Sequence, residues 1–78
     1  MDNYINGTLK EIGGVLKSLR EEKGFTNGRT FAVRFGLDPT QYWRMESGSY
    51  NYTLESLMKV LDIHHLSLKE FAGIFPQK

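Results

Sequence analysis

The stretch from residue 30 to residue 48 limits the possible fold more than any other part of this chain. Gly36 interrupts it, Asp38 and Pro39 follow at once, and Gly48 closes it. An aspartate caps a helix by accepting from the backbone N–H groups of the first turn. Proline suits the first helical position because its missing N–H would have no helical partner there. Glycine ends a helix in the left-handed conformation without a steric cost. The spacing therefore predicts two very short helices joined by a tight turn at Gly36, the second opening at residue 39 and ending near residue 47.

The rest of the chain reads as helix as well. Residues 1–7 lack a helical period and are expected to form a flexible arm, followed by one domain over residues 8–75 and a tail at 76–78. Thr8 with Glu11 has the pattern of a capping box, and Leu9, Ile12, Leu16 and Leu19 recur at the spacing of one buried stripe. Gly24 is the expected C-terminal stop. Gly13 and Gly14 inside this helix cost about 1 kcal/mol each relative to alanine, so close backbone packing is the reason to keep at least one. Asn27 or Gly28 starts a second helix burying Phe31, Ala32 and Phe35, and Leu37 drops into the core after the turn. The third helix buries Tyr42 and Met45. Thr53 and Ser56 open a fourth, whose inward face is read as Leu54, Leu57, Met58 and Leu61. Ser67 and Glu70 repeat the capping-box pattern ahead of a fifth helix carrying Leu68, Phe71, Ala72 and Phe75, which Pro76 ends. No strand pattern occurs, and the fold class is all-α.

Composition excludes several function classes. With no cysteine, neither a disulfide framework nor a thiolate zinc site is available. No apolar run approaches a membrane span and no signal-type N-terminus is present, so a cytoplasmic chain is expected. Met1 and the polar ending after Pro76 are expected of a complete chain. The net charge of +1 is a weak electrostatic footprint. Its excess lies between residues 23 and 52, where Lys23, Arg29, Arg34 and Arg44 outnumber Asp38 and Glu46. His64 and His65 are adjacent, so they do not share a helix face, and no acid or thiol cluster completes a metal site with them. Asp62, a histidine and a serine do not make a hydrolase without a nucleophile elbow or an oxyanion loop. No metal, cofactor or catalysis is expected.

Two short helices set steeply about a glycine turn form a helix-turn-helix, whose main use is to lay its second helix in the DNA major groove. The chain resembles the Cro/repressor-type, or XRE, helix-turn-helix family of lambda repressor-like domains. The resemblance is carried by Ile12, Gly13, Leu16, Leu19, Arg20 and Gly24, then by Ala32, Phe35, Gly36 and Leu37. It continues through Tyr42, Met45, Glu46, Gly48 and Asn51 to Leu54, Leu57, Val60 and Leu61. It implies a compact five-helix DNA-binding domain with the helix-turn-helix at helices two and three. It also implies an ion pair between Arg20 and Glu46, and base reading from the exposed side of helix three.

This chain departs from the family pattern in three places. One extra residue precedes Phe31, so Asn27 takes the N-cap and the usual glutamine falls at Gly28. Pro39 stands where many relatives carry a base-reading side chain, and Trp43 is unusually large for this helix. Base contact then falls to Thr40, Gln41 and Arg44, with Trp43 against thymine methyls. Thr40 and Gln41 face outward by period. Phosphate contact falls to Asn27, Arg29, Arg34, Tyr50 and Asn51. Each of these also has a plain reading, as solvated surface charge for the arginines and as partly buried rings for Tyr50 and Tyr52.

Leu68, Phe71, Ile74 and Phe75 give the last helix more large apolar surface than one stripe needs, and a dimer interface is expected there. A chain this short buries only roughly 60–65% of its extended surface, so oligomerisation would help. A two-fold dimer would set two recognition helices roughly 34 Å apart on an inverted repeat. A monomer whose last helix seals the core is the other possibility. The expected function is a sequence-specific transcription regulator, a repressor or controller-type autoregulator, binding double-stranded DNA as a homodimer. The alternative is an antitoxin or protein-interaction module using the Trp43, Tyr50 and Tyr52 surface with the C-terminal helix.

Overall fold

Helix α1 (Asp2–Glu22) is the longest element among the described residues. It is followed by α2 (Gly28–Arg34), α3 (Pro39–Ser47), α4 (Leu54–Ile63) and α5 (Leu68–Gly73). The computed structural model describes residues 2–75, and among them there is no strand. The radius of gyration is 11.9 Å, against about 11.5 Å expected of a compact chain of this length.

Local chemistry sets most of the boundaries. Asn27 Oδ1 accepts from the Thr30 N–H, Asp38 Oδ1 from the Thr40 N–H and Thr53 Oγ1 from the Ser56 N–H. Ser67 and Glu70 form a complete capping box, each side chain bonded to the other's backbone N–H. Gly24, Gly36 and Gly48 all have positive φ, at the end of α1, in the turn after α2 and at the C-cap of α3. The start of α1 corrects the sequence reading. Residues 2–7 are helical, so Thr8 is an interior residue, its hydroxyl donating to the Tyr4 carbonyl one turn back. Pro76 and the 76–78 tail lie outside the described residues.

Helix α3 packs on both α1 and α2. The core is Leu16, Phe31, Ala32, Tyr42, Met45, Leu57, Val60, Leu61 and Phe71. Two glycines let α1 and α3 approach backbone to backbone. A Cβ on Gly13 would fall inside van der Waals contact of the Met45 and Glu46 carbonyls, and one on Gly48 would lie 2.7 Å from the Lys10 Cα. Residues 10 and 13 are three apart and share a helix face, so the two contacts lie on the same side of α1.

The apolar reading needs correction elsewhere. Leu54 and Met58 are 56% and 51% exposed, because α4 turns Leu57, Val60 and Leu61 inward and Ser56 toward α3. Phe35 sits at the non-helical C-cap of α2, a third exposed, although its ring still meets Phe25 edge-on and tilts against Phe31. Phe71 is core, 3% exposed, and Phe75 tilts against it at 5.3 Å. The four-residue interface expected of the last helix therefore reduces to Leu68 and Ile74, the two that remain exposed.

His64, at the C-cap of α4, stacks flat on Phe31 with ring centroids 5.5 Å apart, and its Nε2 is buried without a hydrogen-bond partner among the described residues. Burial, reinforced by Lys23 and His65, holds its pKa below the ordinary 6.5. The unfolded chain then binds the proton more readily, so this contribution to stability is present above pH 6.5 and is lost as pH falls through the lowered value. The melting temperature is expected to drop between about pH 7 and about pH 5. The drop should be smaller in His64→Phe, which keeps a stacked ring that does not titrate. Equal drops in both proteins would remove His64 as the cause.

Candidate nucleic-acid interface

The surface of interest is built on one ion pair. Arg20, on the last turn of α1, is 4% exposed. Its Nε donates to Glu46 Oε2 at 2.7 Å and its Nη2 to Glu46 Oε1 at 3.0 Å, while Nη1 donates to the Phe25 carbonyl at 2.7 Å. One guanidinium thus ties α1, the loop after it and the C-terminal half of α3 together. Hydrogen bonding to Glu46 outweighs burial and raises the arginine's pKa above its ordinary value. The buried Tyr42 hydroxyl beside this pair has no hydrogen-bond partner among the described residues. Burial first, then the adjacent Glu46 carboxylate, pushes its ionisation well above the normal range.

With its inner face anchored by Tyr42, Met45 and Glu46, α3 presents Thr40, Trp43, Arg44 and Ser47 to solvent. At 3.6 residues per turn these four positions fall within an arc of about 100°. Trp43 is 64% exposed. Position 41 falls roughly 60° outside that arc, which corrects the outward orientation expected of Gln41. Its side chain is half-buried toward α4, and Nε2 donates to Ser56 Oγ at 3.1 Å.

Beside this stripe an open groove of about 700 Å³ separates α3 from α1 and the start of α2. Lys17, Asn27, Arg29, Thr40, Trp43 and Ser47 line it, with Arg20, Tyr42 and Glu46 also contributing. Asn27 uses its carbonyl oxygen to cap α2, which leaves its amide donors uncommitted. Arg34 is exposed on the last turn of α2 and does not line the groove. Arg44 lies over the Tyr50 ring, its Cζ 4.9 Å from the centroid. Asn51 is exposed in the following loop.

Sequence reasoning did not single out Lys17 or Ser47. Lys17 stands three residues before Arg20, hence on the same face of α1, and that spacing was the available signal. Ser47 completes the period of the exposed stripe, and its hydroxyl donates to the Arg44 carbonyl at 3.1 Å. The arrangement offers donors and cations spread over a convex helix and one adjacent groove, with one large apolar ring between them. No group of three or more metal-ligating side chains converges among the described residues, and no described helix is long and apolar enough to cross a membrane. Comparison with known protein families, curated proteins and solved structures found no match to this chain.

Proposed function

We propose that this chain is a sequence-specific DNA-binding regulator of the lambda repressor-like helix-turn-helix type, with α2 and α3 as the motif and α3 entering the major groove. The observation that carries this reading is the exposed stripe of Thr40, Trp43, Arg44 and Ser47 on a short helix whose other face is locked into the core. Arg44 can pair both edge acceptors of a guanine, Thr40 and Ser47 can bond either groove edge, and Trp43 suits thymine methyls. Lys17, Arg29 and the amide of Asn27 line the groove alongside, where a phosphate backbone would run. Arg34, Tyr50 and Asn51 extend the polar surface on either side. A second copy of the chain is the partner proposed for the exposed Leu68 and Ile74, which would let two α3 helices read an inverted repeat.

A protein-interaction role, as in an antitoxin, is the second reading. The exposure of Trp43 favours it, as does a net charge of only +1.

Light scattering for mass, with titration onto duplex DNA at about 50 and about 200 mM salt, separates the two. A regulator should bind as a dimer and lose orders of magnitude in affinity over that interval, because phosphate contacts release counterions. Arg44→Ala is expected to cost about 1–3 kcal/mol on a selected site and to relax its sequence preference. Arg29→Ala should weaken all duplexes alike and lower the salt slope by about one. A folded protein that ignores duplex DNA at low salt would sink this reading in favour of a protein partner.

A further inference from the structure

The loop after α3 returns to the helix it has just left. Gly48 takes the left-handed conformation, and the N–H groups of Gly48 and Ser49 both point back to the Arg44 carbonyl, at 3.0 and 3.4 Å. Ser47 Oγ donates to the same carbonyl and lies 2.8 Å from Ser49 Oγ. This turn brings Tyr50, 47% exposed, under the Arg44 guanidinium.

A guanidinium held over a ring face by cation–π attraction makes that contact without using its five N–H donors, which lie in the guanidinium plane. An unsupported surface arginine samples many rotamers, and part of that freedom is lost when it docks on a base. From this geometry we propose that Tyr50 is a positioning residue for Arg44. Its ring holds the guanidinium in place, its N–H donors unspent, for the acceptors of one guanine, and its hydroxyl takes no part. The proposal rests on the reading of α3 as the helix that enters the DNA groove. It reassigns Tyr50 from phosphate donor to support for base reading.

The test compares wild type, Tyr50→Phe, Tyr50→Ala and Arg44→Ala. In the free protein, NMR should find the Arg44 side-chain protons shifted upfield by the ring in wild type and Tyr50→Phe, and unshifted in Tyr50→Ala. Affinities are then measured on a duplex that wild-type protein selects from a random pool, and on single-base variants of it. Tyr50→Phe should match wild type. Tyr50→Ala should lose roughly two- to five-fold, the worth of an exposed cation–π contact. That loss should be confined to discrimination at the one base pair whose preference Arg44→Ala abolishes, with the salt slope unchanged.

A Tyr50→Phe protein weakened on every duplex alike would show a hydroxyl at work and overturn the proposal. An Arg44 signal without the upfield shift would overturn it at the level of the free protein. A shifted signal in a protein that selects no duplex would place the failure in the DNA-binding reading instead, and the proposal would fall with it.

Discussion

Gly13→Ala is expected to destabilise the protein by about 3 kcal/mol, the top of the usual overpacking range, whereas Gly14→Ala next to it should stabilise by about 0.5–1 kcal/mol. The two positions share a helix and a residue type, so helix propensity alone favours alanine at both. Their surroundings differ. A Cβ at position 13 would collide with the Met45 and Glu46 carbonyls, which are main-chain atoms and cannot rotate aside, whereas among the described residues nothing beyond the adjoining backbone of α1 lies within 4 Å of a Cβ at position 14. Accommodating the added methyl at position 13 requires α1 and α3 to separate. That disturbs the Arg20–Glu46 pair and the Gly48–Lys10 contact together. A domain of this length commands only about 4–12 kcal/mol in total, so the loss is a large share of it. Urea denaturation midpoints of the two variants decide the matter. Shifts of the same sign would mean that the close approach at Gly13 does not limit the fold.

Arg20→Ala is expected to cost about 3 kcal/mol, the lower end of the range for breaking a buried ion pair. The lower end applies because the Glu46 side chain is 13% exposed and keeps some solvent. Two consequences combine: a carboxylate left without its cation inside the groove, and a Phe25 carbonyl without its donor. Replacing both partners by apolar side chains, Arg20→Met with Glu46→Leu, should recover most of the loss, because the cost of the single variant lies mainly in the orphaned charge. The double variant is nevertheless expected to bind DNA less well than its stability suggests, since the bidentate pair fixes the angle of α3 to α1 and methionine and leucine do not. Denaturation of the three variants, alongside duplex titration, separates the two effects. A single variant within about 0.5 kcal/mol of wild type would show that the pair contributes little beyond an ordinary surface bridge.

The sequence made the helix boundaries after residue 22 legible because their causes are local. A cap is a hydrogen bond between residues two or three apart, and Asn27, Asp38, Thr53 and Ser67 each carry the acceptor where the chain needs it. The same locality failed at Thr8. There the cap pattern is present, but the helix continues past it and the hydroxyl turns to the preceding turn instead.

Periodicity identified one stripe per helix without fixing its centre. Leu54 and Leu68 lie near stripe edges, so a modest rotation about the helix axis decides whether each is covered, and that rotation depends on partners far away in sequence. The candidate site divides in the same way. Its exposed stripe at Thr40, Trp43 and Arg44 follows from spacing. The inward turn of Gln41 requires Ser56 on another helix, and Lys17 joins the groove only because α1 crosses α3 beside it.

By itself, then, the sequence determined the all-helical class, the positions of α2 to α5 and the short helix between Asp38 and Gly48, since capping and turn chemistry act within one turn of backbone. The tertiary structure alone decided the inward burial of Val60 and Arg20 and the exposure of Leu54 and Met58. Those outcomes are set by contacts between elements, which the linear spacing of residues does not encode.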